Sequence, residues 1–208
     1  MCCIIALSIF SYYQVKQKEA YKGYISRYLS SELFEVAQGI ISNDSLYERI
    51  LTAKKFSFNG TMTEADFLAD KNDAFLEFVG KYRDLANHLK YIDTSADSTP
   101  AFPTLGRSAQ TISMYFGRRD SSIVDIDSTE QAIIIHFQEL NSRWMRVLEK
   151  SPLFTFDEEG SIDYRYHGEP PAVRVTDRSW LDLLYNLETA TDQYLKEKGL
   201  SKLSDVLK

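Results

Sequence analysis

The sequence predicts a mainly α fold: a helical bundle with a small β-hairpin insert near residues 153–167, preceded by an N-terminal membrane-anchor helix. Three observations carry this. Apolar residues recur at steps of three and four along most of the chain. Only around Phe154, Phe156, Ile162, Tyr164 and Tyr166 does the period change to alternation. And no residue from Met1 to Val15 carries a charge.

The N-terminal run ends in Tyr12, Tyr13 and Gln14, then meets Lys16, Lys18 and Lys22. Aromatic rings followed by lysines match an interface belt and a snorkelling collar, so residues 1–15 read as a membrane anchor. The run is short of the ~20 residues that a spanning helix needs, which keeps an interfacial segment or a buried core helix open. Lys16, Lys18, Lys22 and Arg27 flank the run on its C-terminal side, and the positive-inside tendency then puts the body in the cytoplasm. The expected organisation is residues 1–15 as anchor and 16–208 as a single helical domain, hinged at the linker 93–106.

The elements follow in order. Ile25, Tyr28, Leu29, Leu33, Val36, Ala37, Ile40 and Ile41 have helical spacing, and Ser42-Asn43-Asp44 reads as a stop. Ser45 and Glu48 have capping-box spacing for a short helix over about 46–56. Phe58-Asn59-Gly60 reads as a turn. Thr61 with Glu64 repeats the box ahead of a stripe through Phe75, Phe78, Val79, Tyr82, Leu85, Ala86 and Leu89. Residues 93–106 combine Ser, Thr and Asp with Pro100 and Pro103, which resists both helix and strand. A modest helix over 107–117 and a break at 120–127 come next. Asp127 and Glu130 open a helix through Ile133, Phe137, Leu140, Trp144 and Leu148, ended by Ser151-Pro152. After the hairpin, Val173 to Val175 could add a third strand. Asp177 is placed as the cap of a last helix carrying Trp180, Leu184, Leu187, Tyr194 and Leu195.

Composition narrows the function classes. Hydrophobic residues at 44% and charged residues at 26% exclude wholesale disorder. A net charge of −6 lacks the basic footprint of a nucleic-acid binder, and pairs such as Lys54-Lys55 and Arg118-Arg119 read as solvated helix ends. The two cysteines are Cys2 and Cys3, so the body can form neither a disulfide nor a cysteine zinc site.

Few residues invite chemistry. His136, with Glu139 and Arg143 on the same helix, forms the best catalytic set; a core-edge histidine bonded to a neighbour is the plainer reading. Asp157, Glu158, Glu159 and Asp163 place four carboxylates around Gly160, which suits a hard cation but also a solvated hairpin tip. Asp66, Asp70, Asp73 and Glu77 read as a wet helix face. Gly106-Arg107-Ser108 lacks the second glycine of a nucleophile elbow. No catalytic residue is assigned, and no metal or cofactor is expected. What remains is a noncatalytic, membrane-tethered helical protein that binds another protein as adaptor, regulator or accessory subunit. The alternatives are a membrane-bound enzyme whose site assembles only in three dimensions, and a small-ligand sensor.

Overall fold

The computed structural model describes residues 2–92, 102–119, 125–158, 160, 162 and 174–208. Among them are five α-helices: α1 (Cys2–Ala53), α2 (Glu64–His88), α3 (Pro103–Gly117), α4 (Ser128–Lys150) and α5 (Ser179–Glu197). A two-stranded antiparallel ribbon, β1 (Phe58–Asn59) and β2 (Met62–Thr63), joins α1 to α2, and a 3-10 turn (Leu203–Leu207) closes the chain. Helix α1 packs on α2 and α4, α2 on α3, and α5 on both α3 and α4. The mainly helical expectation holds.

The helix α1 runs through two places where the sequence predicted a boundary. The first is residue 15, where the anchor was to end: the helix continues unbroken into the body. No helix among the described residues is long and apolar enough to cross a membrane, which corrects the membrane-anchor helix. The reason is length. Fifteen uncharged residues, polar Gln14 among them, rise only about 22 Å against a hydrocarbon core of about 30 Å, and Lys16, Gln17 and Lys18 follow at once.

The second is Ser42-Asn43-Asp44, predicted as a stop. These polar residues face another helix instead. The Asn141 side chain of α4 donates to the Ile40 carbonyl (3.0 Å), and Ser142 Oγ donates to Asp44 Oδ1 (3.0 Å). Ser42 Oγ returns its proton to the Gly39 carbonyl. Ser42 and Asp44 are thus engaged and Asn43 is buried, so the residues do not compete for the helix backbone, and α1 runs on to Ala53 with no separate helix over 46–56.

Gly60 makes the predicted turn with φ +67°, a region that costs glycine nothing. The capping box of α2 lies two residues beyond its expected place: Thr63 Oγ1 accepts from Asp66 N, and Asp66 Oδ2 accepts from Thr63 N. The predicted stripe is the face of α2 that enters the core, with Phe75, Phe78, Val79, Tyr82 and Ala86 buried, while Leu89 ends it at the surface.

Residues 93–101 of the expected linker lie outside the described residues, but 103–106 are already helical. Pro103 sits in the first turn of α3, where its missing N–H is no loss. Glu188 of α5 reaches across to accept from the Thr104 and Leu105 amides (3.0 and 2.6 Å), a cap supplied from another helix. Helix α4 starts as predicted, with Asp127 and Glu130 in a reciprocal box.

The hairpin near 153–167 is not shown. A single bridge pairs Phe156 with Ile162 across a turn in which Gly160 has φ +79°, and residues 163–167 lie outside the described residues. Arg174 to Asp177 form a turn, with the Asp177 amide donating to the Arg174 carbonyl, so no third strand includes Val175. Helix α5 is entered through Arg178, without a side-chain cap from Asp177.

The core is built on large rings. Trp144 stands edge-on to Phe75 (centroids 5.1 Å apart) and donates through Nε1 to Thr191 Oγ1 (2.9 Å). Trp180 lies edge-on to Tyr82 and donates to the Val175 carbonyl. Each indole therefore has both its apolar body and its N–H satisfied, as buried tryptophan requires.

Candidate functional site

The sequence nominated His136, Glu139 and Arg143, and the fold brings all three together on the edge where α4 meets the end of α5. Their spacing of three and four sets them on one side of α4. What joins them is Tyr194, which the sequence offered only as a core residue. Its ring is buried, while its hydroxyl lies 2.7 Å from His136 Nδ1, 3.0 Å from the His136 carbonyl and 3.4 Å from Glu139 Oε2. The hydroxyl has one proton. Donating it to the His136 carbonyl leaves Nδ1–H to donate to Tyr194 Oη, which satisfies both groups.

The charges around this centre are paired. Lys198 Nζ contacts Glu139 Oε2 at 2.6 Å, and Arg143 forms a two-pronged pair with Glu197. The Arg143 guanidinium also lies over the Tyr194 ring, 5.3 Å from its centroid. Burial, then the Glu139 carboxylate, push Tyr194 above the ordinary phenol range, so it stays neutral. Glu197 holds Arg143 in its charged form, and Arg143 holds the Glu197 carboxyl below its usual range. A nucleophile or base needs a shift toward reactivity and open space beside it. Tyr194, Arg143 and Glu197 are shifted away from reactivity, and the groups are bonded to one another. The arrangement is a clasp between two helices.

Of the carboxylate set, Asp157 and Glu158 stand before the Gly160 turn, whereas Glu159 and Asp163 lie outside the described residues. Among the described residues no group of three or more His, Cys, Asp or Glu could hold a metal ion. His88 is exposed and bonds the Asp84 carbonyl through Nδ1. Of the acidic row on α2, Asp66 caps the helix, Asp73 accepts from Ser113 Oγ (2.5 Å), and Asp70 and Glu77 are exposed. Ser108 is buried inside α3. Arg119 pairs with Glu130 and covers the Phe56 ring.

Two features were not anticipated. One is a buried polar layer where α1, α2 and α4 meet. Asn43, Tyr47, Asn72 and Asn141 are each at most 3% exposed, yet Asn43 Oδ1, Asn141 Oδ1 and Tyr47 Oη have no hydrogen-bond partner. Asn141 left a signal, since it interrupts the apolar stripe between Leu140 and Trp144. The other is a groove of about 720 Å³ between α1 and α2, closed at one end by the ribbon. Leu46, Phe58 and Phe67 supply its apolar wall, and Arg49 and Lys71 stand at its rim. Arg49 is committed there to Glu64, which also accepts from the Ser57 amide.

The most exposed feature is α1 itself. Every residue from 10 to 21 is exposed, and the first buried side chain is Ser26. The helix therefore leaves the body as a free stalk. It carries Phe10, Tyr12, Tyr13, Tyr21 and Tyr24, each at least 57% exposed. Soluble surfaces scatter such rings singly; a helix carrying five of them over fifteen residues is a surface for contact.

No family model, no curated protein and no solved structure matches this chain.

Proposed function

We propose that this protein is a noncatalytic helical adaptor that binds another protein, held at a membrane interface by the N-terminal end of α1. The observation that carries the reading is the stalk: an unbroken helix, rooted in the core, whose outer residues are exposed and rich in aromatic rings. The order of apolar tip, tyrosines and then lysines suits a segment lying in the headgroup region rather than one crossing it. The cytoplasmic placement expected from the lysines has no crossing helix among the described residues to orient.

The enzyme reading draws less support. His136, Glu139 and Arg143 line neither the α1–α2 groove nor the smaller cavity of about 290 Å³ beside Arg107 and Lys202. The groove gives the sensor reading its one specific observation, because its volume is within the range of small-ligand sites. Its rim is open and its polar groups are largely committed, which favours a protein surface over an enclosed ligand.

Flotation with anionic vesicles tests the tether, and affinity capture from a membrane extract tests the partner. The full chain is expected to float and a chain starting at Lys16 to remain in solution. Capture by the full chain should retain a protein that a Tyr12→Ser/Val15→Ser variant, altered at exposed residues of the stalk, loses. Equal flotation of both chains removes the interfacial tether, and identical capture profiles remove the stalk as a binding surface.

A further inference from the structure

We infer that the stalk pairs with a second copy of this chain, in parallel and in register, through its tyrosine face. Phe10, Gln14, Gln17, Tyr21, Tyr24 and Tyr28 follow one another at steps of four, three, four, three and four. That is the seam of a two-stranded coiled coil. The described residues leave this seam open: Phe10 is 62% exposed, Tyr21 70%, Tyr24 65% and Tyr28 46%. It stops where the body begins, since Lys81 of α2 covers the Tyr28 ring at 3.8 Å.

Geometry leaves room for the second copy. Ser26, Leu29, Leu33, Val36 and Ile40 form the row of α1 that enters the body. The tyrosine row runs two residues out of step with it, about 200° around the helix. The two faces are therefore opposite, and a two-fold axis beside the tyrosines puts both bodies on the outside. Charge agrees. Residues 10–24 hold four charged groups, Lys16, Lys18, Glu19 and Lys22, and only Lys18 borders the seam, while Glu19 and Lys22 pair with each other on the far side. Parallel pairing places Lys18 beside Tyr13 of the second copy, where a ring face accepts an ammonium.

The area is also sufficient. The exposed parts of Phe10, Tyr21 and Tyr24 come to about 400 Å² per chain, so the rings supply most of the roughly 1,000 Å² that a specific pair needs and the stems of Gln14, Gln17 and Lys18 supply the rest. Gln14 and Gln17 lie in the middle of the seam. Polar residues at such positions weaken a coiled coil but fix its register, because only in-register pairing lets them bond to each other.

The test uses the full chain in detergent, with Cys2 and Cys3 replaced by serine. Single cysteines at seam positions (Gln17→Cys, Tyr21→Cys, Tyr24→Cys) should oxidise to dimers, and those off the seam (Lys16→Cys, Glu19→Cys, Gly23→Cys) should not. Light scattering should give the mass of two chains, and Tyr21→Glu/Tyr24→Glu should weaken association by about tenfold or more. At protein concentrations low enough for both chains to be single, that variant should melt with the parent chain, since both side chains are exposed. A single-chain mass at every concentration overturns the pairing, as does a crosslinking profile without the seam periodicity. Seam cysteines shielded from maleimide only on vesicles would assign the face to lipid and also overturn it. The readouts are mass and crosslink position, so they stand whether or not vesicle flotation or partner capture succeeds.

Discussion

The Tyr47 hydroxyl is sealed in the core without a well-formed hydrogen bond, Asn72 offering only an imperfect one; burial pushes its ionisation well above the ordinary phenol range, with Asn72 opposing and the Asp44 carboxylate adding. An unmade bond on a buried hydroxyl costs about 1–3 kcal/mol. Tyr47→Phe is therefore expected to unfold at equal or higher denaturant, with a gain of up to about 1 kcal/mol. A loss of similar size would mean that the hydroxyl is bonded after all, to Asn72 or to an internal water. Asn141→Leu should go the other way, because it strips bonds from the Ile40 carbonyl and Asp44; a cost of about 1–3 kcal/mol in chemical denaturation is expected. Glu188 gives a pH signature. Burial raises its carboxyl above the usual range, against the two amides that lower it. The folded state then holds a proton that the unfolded state has released, so this group's contribution falls as pH rises through the interval just above the ordinary carboxylate pKa. Melting curves across that interval should slope downward, and Glu188→Gln should flatten the slope. An unchanged slope would place the titration elsewhere.

At the scale of elements, what the sequence revealed depended on where each element finds its partners. Helix α4 was legible at both ends because its signals are local: Asp127 and Glu130 cap each other, and Ser151-Pro152 stops it. Asp127→Ala should cost about 1 kcal/mol, measured by thermal or urea unfolding. Helix α3 was legible only in part, since its cap arrives from Glu188, more than eighty residues away. Nothing near Thr104 announces that. The unbroken α1 was missed for the same reason: Ser42, Asn43 and Asp44 are poor helix formers in isolation, and only the Ser42 bond to Gly39, the Asp44 bond to α4 and the burial of Asn43 show why the helix continues. The catalytic set was half legible. Spacing placed His136, Glu139 and Arg143 together, but Tyr194, Glu197 and Lys198, which convert that set into a clasp, come from α5.

The whole molecule divides into a dense body and a bare rod. Residues 29–50 of α1 lie among the largest buried side chains, whereas every residue from 10 to 21 is exposed among the described residues. Local opening free energy follows contact density. Native-state hydrogen exchange should therefore show amides 10–21 exchanging far faster than those of 29–50, which should approach the global limit. Pairing of the stalk, when it occurs, should slow the former and leave the latter unchanged. Uniform protection along α1 in a monomer would contradict the division.

A rod continuous with the core has a mechanical consequence. Neither Gly23 nor Gly39 interrupts α1, and no proline lies in it. A pull on the tip is thus delivered without a compliant hinge first to Ser26, which accepts from the Val175 amide where α1 enters the body, and along the same helix to Ile40 and Asp44, where Asn141 and Ser142 hold α4. The load arrives there as shear between two long helices, with the bonds sharing it. A twist at the tip likewise turns that joint directly. Whatever grips the outer end of this protein can strain its centre from a distance.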